Sequence, residues 1–377
     1  MTGPSKVLFV AWRDLANPLA GGSEVLVDHL ACGLAAQGHE VSLLCAGPTS
    51  SRTYAVHQNG GRFSQYLRAP ISYLRHFRDV DLVVDVANGL SFFVPLWRRL
   101  PSVCLVNHLH SEQWRQWFPL PVAALGRSLE RYAMPLAYRR RLFVAVSEST
   151  AASLEEIGVD REHIRIVHNG TDLPRAYLTE DPEPLFVCLG RLVPHKRIEV
   201  VLAAWERVRP LVGGQLMIIG EGPERSRLEA LAGQGVTFTG EISEEHKNEL
   251  LGRAWLLLHP AMVEGWGLVV LEAAARRTPT VAFDVPGLRD SVLHAQTGML
   301  ATSEAAFLEH WVSLSRNPSL RRRMGWLARD RAGQFSWSAS VERFLSVAKE
   351  AMQGTDVASD ATRGISPSPT TVVELEA

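Results

Sequence analysis

Short apolar and β-branched runs alternate along the chain with longer stretches whose apolar positions recur at helical spacing. In the first half the runs are Val7–Val10, Val41–Leu44, Leu82–Val86, Val103–Val106, Phe143–Val146 and Ile164–Val167. In the second half they are Leu185–Leu189, Leu216–Ile219, Val236–Thr239, Trp255–His259 and Thr280–Phe283. This alternation predicts parallel sheets joined by crossover helices. Between the two series, the prolines and acids of Asp172–Pro184 interrupt both periods and read as an interdomain linker. The pattern therefore predicts an α/β protein of two doubly wound domains, 1–174 and 185–337, joined by 175–184. From about Gln353 the chain is rich in Ser, Thr and Pro, which predicts a disordered tail over 353–377.

Composition narrows the function classes. A length of 377 residues accommodates two ordinary domains, and a net charge of -1 gives no global bias toward nucleic acid. The N-terminal apolar run ends at Arg13-Asp14 and reads as a first strand, not a signal peptide. No run approaches the roughly 20 apolar residues that span a bilayer. Cys32, Cys45, Cys104 and Cys188 stand far apart in apolar contexts, which favours reduced core residues over disulfides or zinc ligands. A cytoplasmic setting follows, and the sequon Asn169-Gly170-Thr171 is then expected to be structural. Lysine is scarce, with only Lys6, Lys196, Lys247 and Lys349 among 39 basic residues.

Three segments carry candidate chemistry. The first strand leads into Gly21-Gly22-Ser23-Glu24 and a helical stretch, so backbone N–H groups and a helix N-terminus are available to an anion. A plain tight turn fits the same residues. After Leu185–Leu189 come Gly190-Arg191 and, five residues on, Lys196, two cations flanking a helix start in a way that suits a diphosphate. The most specific segment is Glu264-Gly265-Trp266-Gly267-Leu268 with Glu272 beyond it. A helical rise puts Glu264 and Glu272 up to roughly 12 Å apart, more than the about 5 to 9.5 Å of a glycosidase carboxylate pair. That spacing fits two hydroxyl-bearing rings of one extended ligand. Gly220-Glu221-Gly222-Pro223 lacks the third glycine of a dinucleotide fingerprint, which argues against nicotinamide chemistry.

Together with Val146-Ser147, His168-Asn169-Gly170-Thr171-Asp172 and Gly287 through Gly298, these segments make the chain resemble the family 4 retaining glycosyltransferases of the GT-B fold, over nearly its whole length. The resemblance implies two Rossmann-like domains facing across a cleft, acceptor side first and donor side second. It also implies a C-terminal helix at 338–352 crossing back onto the first domain. The implied activity is a metal-independent hexosyltransferase that moves a sugar from a nucleotide-diphosphate sugar to a hydroxyl with retention, using no cofactor. Glu264 would hold the donor sugar, Glu272 the ribose, and Arg191 with Lys196 the diphosphate, with Gly22 approaching from the first domain. Gly265, Trp266, Gly267 and Leu268 belong to the same donor site, and Gly220, Glu221 and Ile242 stand near the base. His108, directly after Val103–Val106, matches the cleft histidine of the family better than His110 does.

Several readings stay open beside this one. An epimerase or glycan phosphorylase of the same fold, or a non-catalytic partner subunit, shares the architecture. His108, His110 and Glu112 are alternatively a metal site, and Asp79-Val80-Asp81 reads as a strand start despite its likeness to a metal-binding Asp-x-Asp. Arg62, Arg68, Arg75 and Arg78 lie among Tyr66, Leu67, Tyr73, Leu74 and Phe77, and a second group comprises Arg127, Arg131 and Arg139-Arg140-Arg141. Such surfaces suit peripheral contact with an anionic inner membrane face and a lipid-linked acceptor. Arg-rich codon usage on solvated helices, with a soluble saccharide or natural-product acceptor, is the plainer account of them.

Overall fold

The computed structural model describes residues 3–99, 101–111 and 113–363. The first sheet is parallel and seven-stranded, in the order β3-β2-β1-β4-β5-β6-β7. Its strands are β1 (Lys6–Arg13), β2 (Glu40–Ala46), β3 (Ala55–Gln58), β4 (Leu82–Ala87), β5 (Ser102–Val106), β6 (Leu142–Ala145) and β7 (Ile164–Ile166). The second sheet is also parallel, in the order β10-β9-β8-β11-β12-β13. It contains β8 (Leu185–Leu189), β9 (Gln215–Ile219), β10 (Val236–Gly240), β11 (Leu256–His259), β12 (Thr280–Phe283) and β13 (Gly298–Ala301). Helices flank both sheets, giving the α/β GT-B architecture that the sequence predicts. In each sheet the winding reverses beside its first strand: β1 pairs with β2 and β4, and β8 with β9 and β11. A crevice opens at such a switch point beyond the C-terminal strand ends.

Strands β3 and β13 are not among the predicted runs. Both lie at sheet edges, and β3 carries the largely exposed Ala55-Val56-His57-Gln58, so no apolar run marks it. β13 opens with Gly298, where a Cβ would stand 2.5 Å from the Thr280 carbonyl oxygen, so close pairing with β12 selects a residue that weakens the strand signal.

The last helix, Trp337–Arg363, returns to the first domain. Phe344 stacks on Phe9 of β1 at 5.9 Å, and Val341 lies over Gly33 so closely that a Cβ there would be 2.3 Å from its methyl. Arg165 of β7 and Glu350 of this helix form an ion pair. The helix runs on past 352, the end expected for it, and so takes in the start of the expected disordered tail. No proline interrupts 353–363, and the next one is Pro367. The remainder of that tail, 364–377, lies outside the described residues.

Trp266 ties the domains together. Its ring is 2% exposed, stacked on His168 at 4.4 Å and edge-on to Phe335 at 4.9 Å, within an apolar cluster that also holds Phe9, Val146 and Phe344. Nearby the backbones themselves meet, since a Cβ on Gly265 would lie 2.1 Å from the Asn107 carbonyl oxygen. Asn169 and Thr171 are buried, and the Thr171 N–H donates to the Phe335 carbonyl at 2.9 Å, so the sequon is packed inside the structure. Cys45, Cys104 and Cys188 are buried and unpaired, and burial pushes the Cys45 and Cys188 thiols up to about 12. Asp81 accepts from the Ser5 and Lys6 N–H groups, which makes Asp79-Val80-Asp81 a brace for the start of β1.

Candidate active site

A cavity of about 230 Å³ opens between the two sheets at their switch points. From the first domain it is lined by the end of β1, the start of the helix Gly22–Ala36 and the residues after β5. From the second it is lined by the residues after β8 and by Val263 through Val269. The helix Leu268–Ala275 begins here on Gly267, whose φ of 87° is a left-handed conformation that a side chain would strain. It faces the N-terminus of Gly22–Ala36 so closely that a Cβ on Gly22 would be 3.2 Å from Leu268 Cδ1. Two helix N-termini from different domains thus offer partial positive charge to one space.

Glu264 is the centre of the charged network. Its Oε2 accepts from Lys196 Nζ at 2.6 Å and lies 3.2 Å from His259 Nε2. Burial works to raise this carboxyl, but the Lys196 charge and the hydrogen bond from His259 outweigh it and hold it well below the usual carboxylate range. Burial also pushes His259 down, which favours the neutral ring, and a neutral ring meets the carboxylate by donating from Nε2. Arg191 reaches across the cleft and donates from Nη1 to the Leu19 carbonyl at 3.0 Å. Glu24 is committed elsewhere: it accepts from Arg13 Nε at 3.0 Å and from the Gly21 N–H at 2.7 Å, closing the turn that starts its helix.

His108 faces the same cavity, with Nε2 3.1 Å from Gln113 Oε1 and its ring stacked on His110 at 4.4 Å. Burial holds both imidazoles below their ordinary value. Stacked rings do not converge on a single ion, and Glu112, weighed as their third ligand, lies outside the described residues.

The cavity gathers Gly22, His108, Arg191, Lys196, Glu264, Gly265, Trp266, Gly267 and Leu268. Trp266 contributes little ring surface, since its indole is packed into the interdomain core. Glu272, Gly220, Glu221 and Ile242 stand off the cavity lining. Glu272 accepts from Lys247 Nζ at 2.9 Å, and burial raises its carboxyl. Glu221 pairs with Arg225, and a Cβ on Gly220 would lie 2.2 Å from the Gly190 carbonyl oxygen. In the first domain Arg62, Arg68, Arg75 and Arg78 are exposed, but Tyr73 and Phe77 point into the core. The outward apolar residues of the helix Ser64–His76 are Leu67, Ile71 and Leu74.

Sequence reasoning missed His259, His195, Arg13 and Trp117. His259 ends a predicted strand, the position where open α/β sheets place functional side chains, and that signal was available. His195, pushed down to about 4 by burial and by the Lys196 and Arg191 charges, sits in the loop between Arg191 and Lys196. Trp117 reaches the cavity only through tertiary packing against His195, 6.2 Å away between centroids.

A family model described as "Glycosyltransferase Family 4" matches residues 20–175, and one described as "Glycosyl transferases group 1" matches 171–331. The chain belongs to the family 4 glycosyltransferases. This glycosyltransferase is 27% identical to the alpha-D-kanosaminyltransferase of Streptomyces kanamyceticus, over 71% of this chain and 75% of that protein. It is 26% identical to a glycogen synthase of Mycobacterium tuberculosis, over 93% and 95%. Among solved structures, Anabaena HepE in complex with UDP and glucose superposes with a TM-score of 0.75 at 16% identity, covering 92% of this chain and all of that one. Among the described residues no helix is long and apolar enough to cross a membrane.

Proposed function

We propose that this glycosyltransferase moves a hexosyl group from a nucleotide-diphosphate sugar to an acceptor hydroxyl with retention of configuration and without a divalent metal or other cofactor. The observation that carries the reading is the ionised Glu264, held by Lys196 and His259 in a cavity where Arg191 and two helix N-termini also converge. A diphosphate in this space meets fixed positive charge from Arg191, Lys196 and the helix starts, which supply the neutralisation that a metal ion gives elsewhere. As the glycosidic bond breaks, negative charge grows on the leaving phosphate oxygen and these groups stabilise it. The same oxygen takes the proton from the acceptor hydroxyl attacking on the same face. Glu264 and His108 then bind the sugar, and Glu272 the ribose once its bond to Lys247 is exchanged.

A thermal-shift screen with UDP, GDP, ADP and TDP tests the donor half. One nucleoside diphosphate is expected to raise the melting midpoint in wild type and to lose that effect in Arg191→Ala. A midpoint unmoved by all four contradicts the reading.

A further inference from the structure

Beside the donor cavity lies a second one, of about 200 Å³, wholly within the first domain. The helices Ser64–His76 and Leu120–Ser128, distant in sequence, form its two sides, and Trp114 with Phe118 closes it. Its walls are apolar for a structural reason. The Tyr66 hydroxyl donates to the Leu90 carbonyl at 3.3 Å and Trp114 Nε1 to Glu130 Oε2 at 3.2 Å, so the polar ends of both aromatics are already used. Gly126 permits this floor, because a Cβ there would lie 2.5 Å from the Trp114 ring. A saccharide in this space would leave hydroxyls without partners, at about 1 to 3 kcal/mol for each buried group. An apolar body instead gains about 25 cal/mol for each Å² it buries. An apolar cavity of about 150 Å³ already holds a benzene ring.

Two further features connect this cavity to a ligand. It shares Trp12, Asn88, His110, Gln113 and Trp117 with the donor cavity, so the two spaces are contiguous. In that common wall the His110 ring is held from behind by Glu130, whose Oε1 accepts from the His110 N–H at 2.7 Å and lies 3.9 Å from the buried Nδ1. The mouth is rimmed by Phe63 and Leu125, which are 59% and 60% exposed although both are large and apolar.

We propose that this cavity is the acceptor subsite, taking the apolar ring or hydrocarbon portion of an acceptor whose hydroxyl passes the His110 wall into the donor cavity. The inference rests on the transfer reading above and names the acceptor class for it: a hydroxyl on an apolar body, free in solution or carried in a bilayer.

The test is titration calorimetry of the full chain with 2-naphthol, with maltose as the polar counterpart. Sugar transfer is then assayed to free 2-naphthol and to n-dodecanol held in phosphatidylcholine vesicles. The variants are Leu125→Glu and Phe63→Gln, at exposed positions whose replacement leaves the core intact. The expected result is binding of 2-naphthol that falls at least tenfold in either variant, while affinity for the nucleoside diphosphate is kept. Transfer to 2-naphthol alone places the natural acceptor in solution and transfer to dodecanol alone places it in a bilayer. Either supports the subsite if Leu125→Glu abolishes it. Glycosylation of maltose by wild type and Leu125→Glu alike, without binding of 2-naphthol, overturns the subsite and leaves the transfer reading standing. Binding of 2-naphthol by a chain that binds no nucleoside diphosphate overturns the transfer reading instead.

Discussion

Lys196 Nζ stands 2.6 Å from Glu264 Oε2, with 16% and 18% of the two side chains exposed. A pair this enclosed is strongly coupled, and its cation also faces the space assigned to the leaving diphosphate. Lys196→Ala and Arg191→Ala are each expected to lower turnover by about 2–4 kcal/mol of transition-state stabilisation, the scale of a lost oxyanion donor. Activity is expected to survive EDTA. Steady-state kinetics checks both points: wild-type rates in either variant, or dependence on a divalent ion, contradict them.

The two carboxylates of the Glu-x7-Glu segment share no partner, Glu264 being tied to Lys196 and His259 and Glu272 to Lys247. Glu272→Ala is expected to weaken nucleoside diphosphate binding, whereas Glu264→Ala spares it and removes sugar transfer. His108→Ala is expected to behave like Glu264→Ala, and His110→Ala to retain more transfer. Calorimetry beside rate measurements separates these patterns, and equal loss of nucleotide affinity in both glutamate variants contradicts the division.

Stability is expected to carry a pH signature from Glu130, which lies in the π-helical turn Leu129–Ala133. Burial raises its carboxyl to about 7, against opposing hydrogen bonds from the His110 N–H and Trp114. A carboxyl raised in the folded state contributes stability that is complete below its ordinary 4.5 and disappears as pH rises through 7. The neutral histidines His108, His110 and His195 slope the other way, losing their contribution as pH falls below their ordinary 6.5. Comparison with Glu130→Gln isolates the carboxylate. The wild-type advantage over that variant is expected to shrink between pH 4.5 and 7.5, by at most about 3 kcal/mol. A pH-independent difference in melting midpoint refutes it.

The exposed arginines offer a separate prediction. Arg139 and Arg140 are exposed and Arg141 is half-buried, with its Nη2 on the Arg99 carbonyl. If these groups and Arg68, Arg75 and Arg78 meet an anionic bilayer, the protein cosediments at low salt with vesicles containing anionic lipid, and Arg139, Arg140 and Arg141 changed together to Gln release it. Absence of cosedimentation at low salt rejects membrane contact.

Features written within one contiguous segment were legible in the sequence. Gly265 and Gly267 mark Glu264 as a loop residue because close backbone approach and a left-handed φ demand glycine, and buried strands announce themselves as apolar runs. Features assembled by topology were not. The Lys247–Glu272 pair joins neighbouring helices, and the apolar cavity joins Phe63 and Tyr66 to Trp114 and Leu125 across a stretch that includes two strands. Tyr73 and Phe77 looked like part of a basic aromatic surface because arginines surround them in sequence, yet the fold turns both rings inward.

In the proposed reaction the cluster around Lys196 and Glu264 breaks the donor's glycosidic bond with retention. Proton NMR of the sugar first released when wild type hydrolyses an α-linked nucleotide-diphosphate sugar, read before mutarotation, reports that stereochemistry. The predicted result is α-anomer from wild type and strongly diminished release from Lys196→Ala. First-formed β-anomer, or equal release by the two proteins, contradicts it.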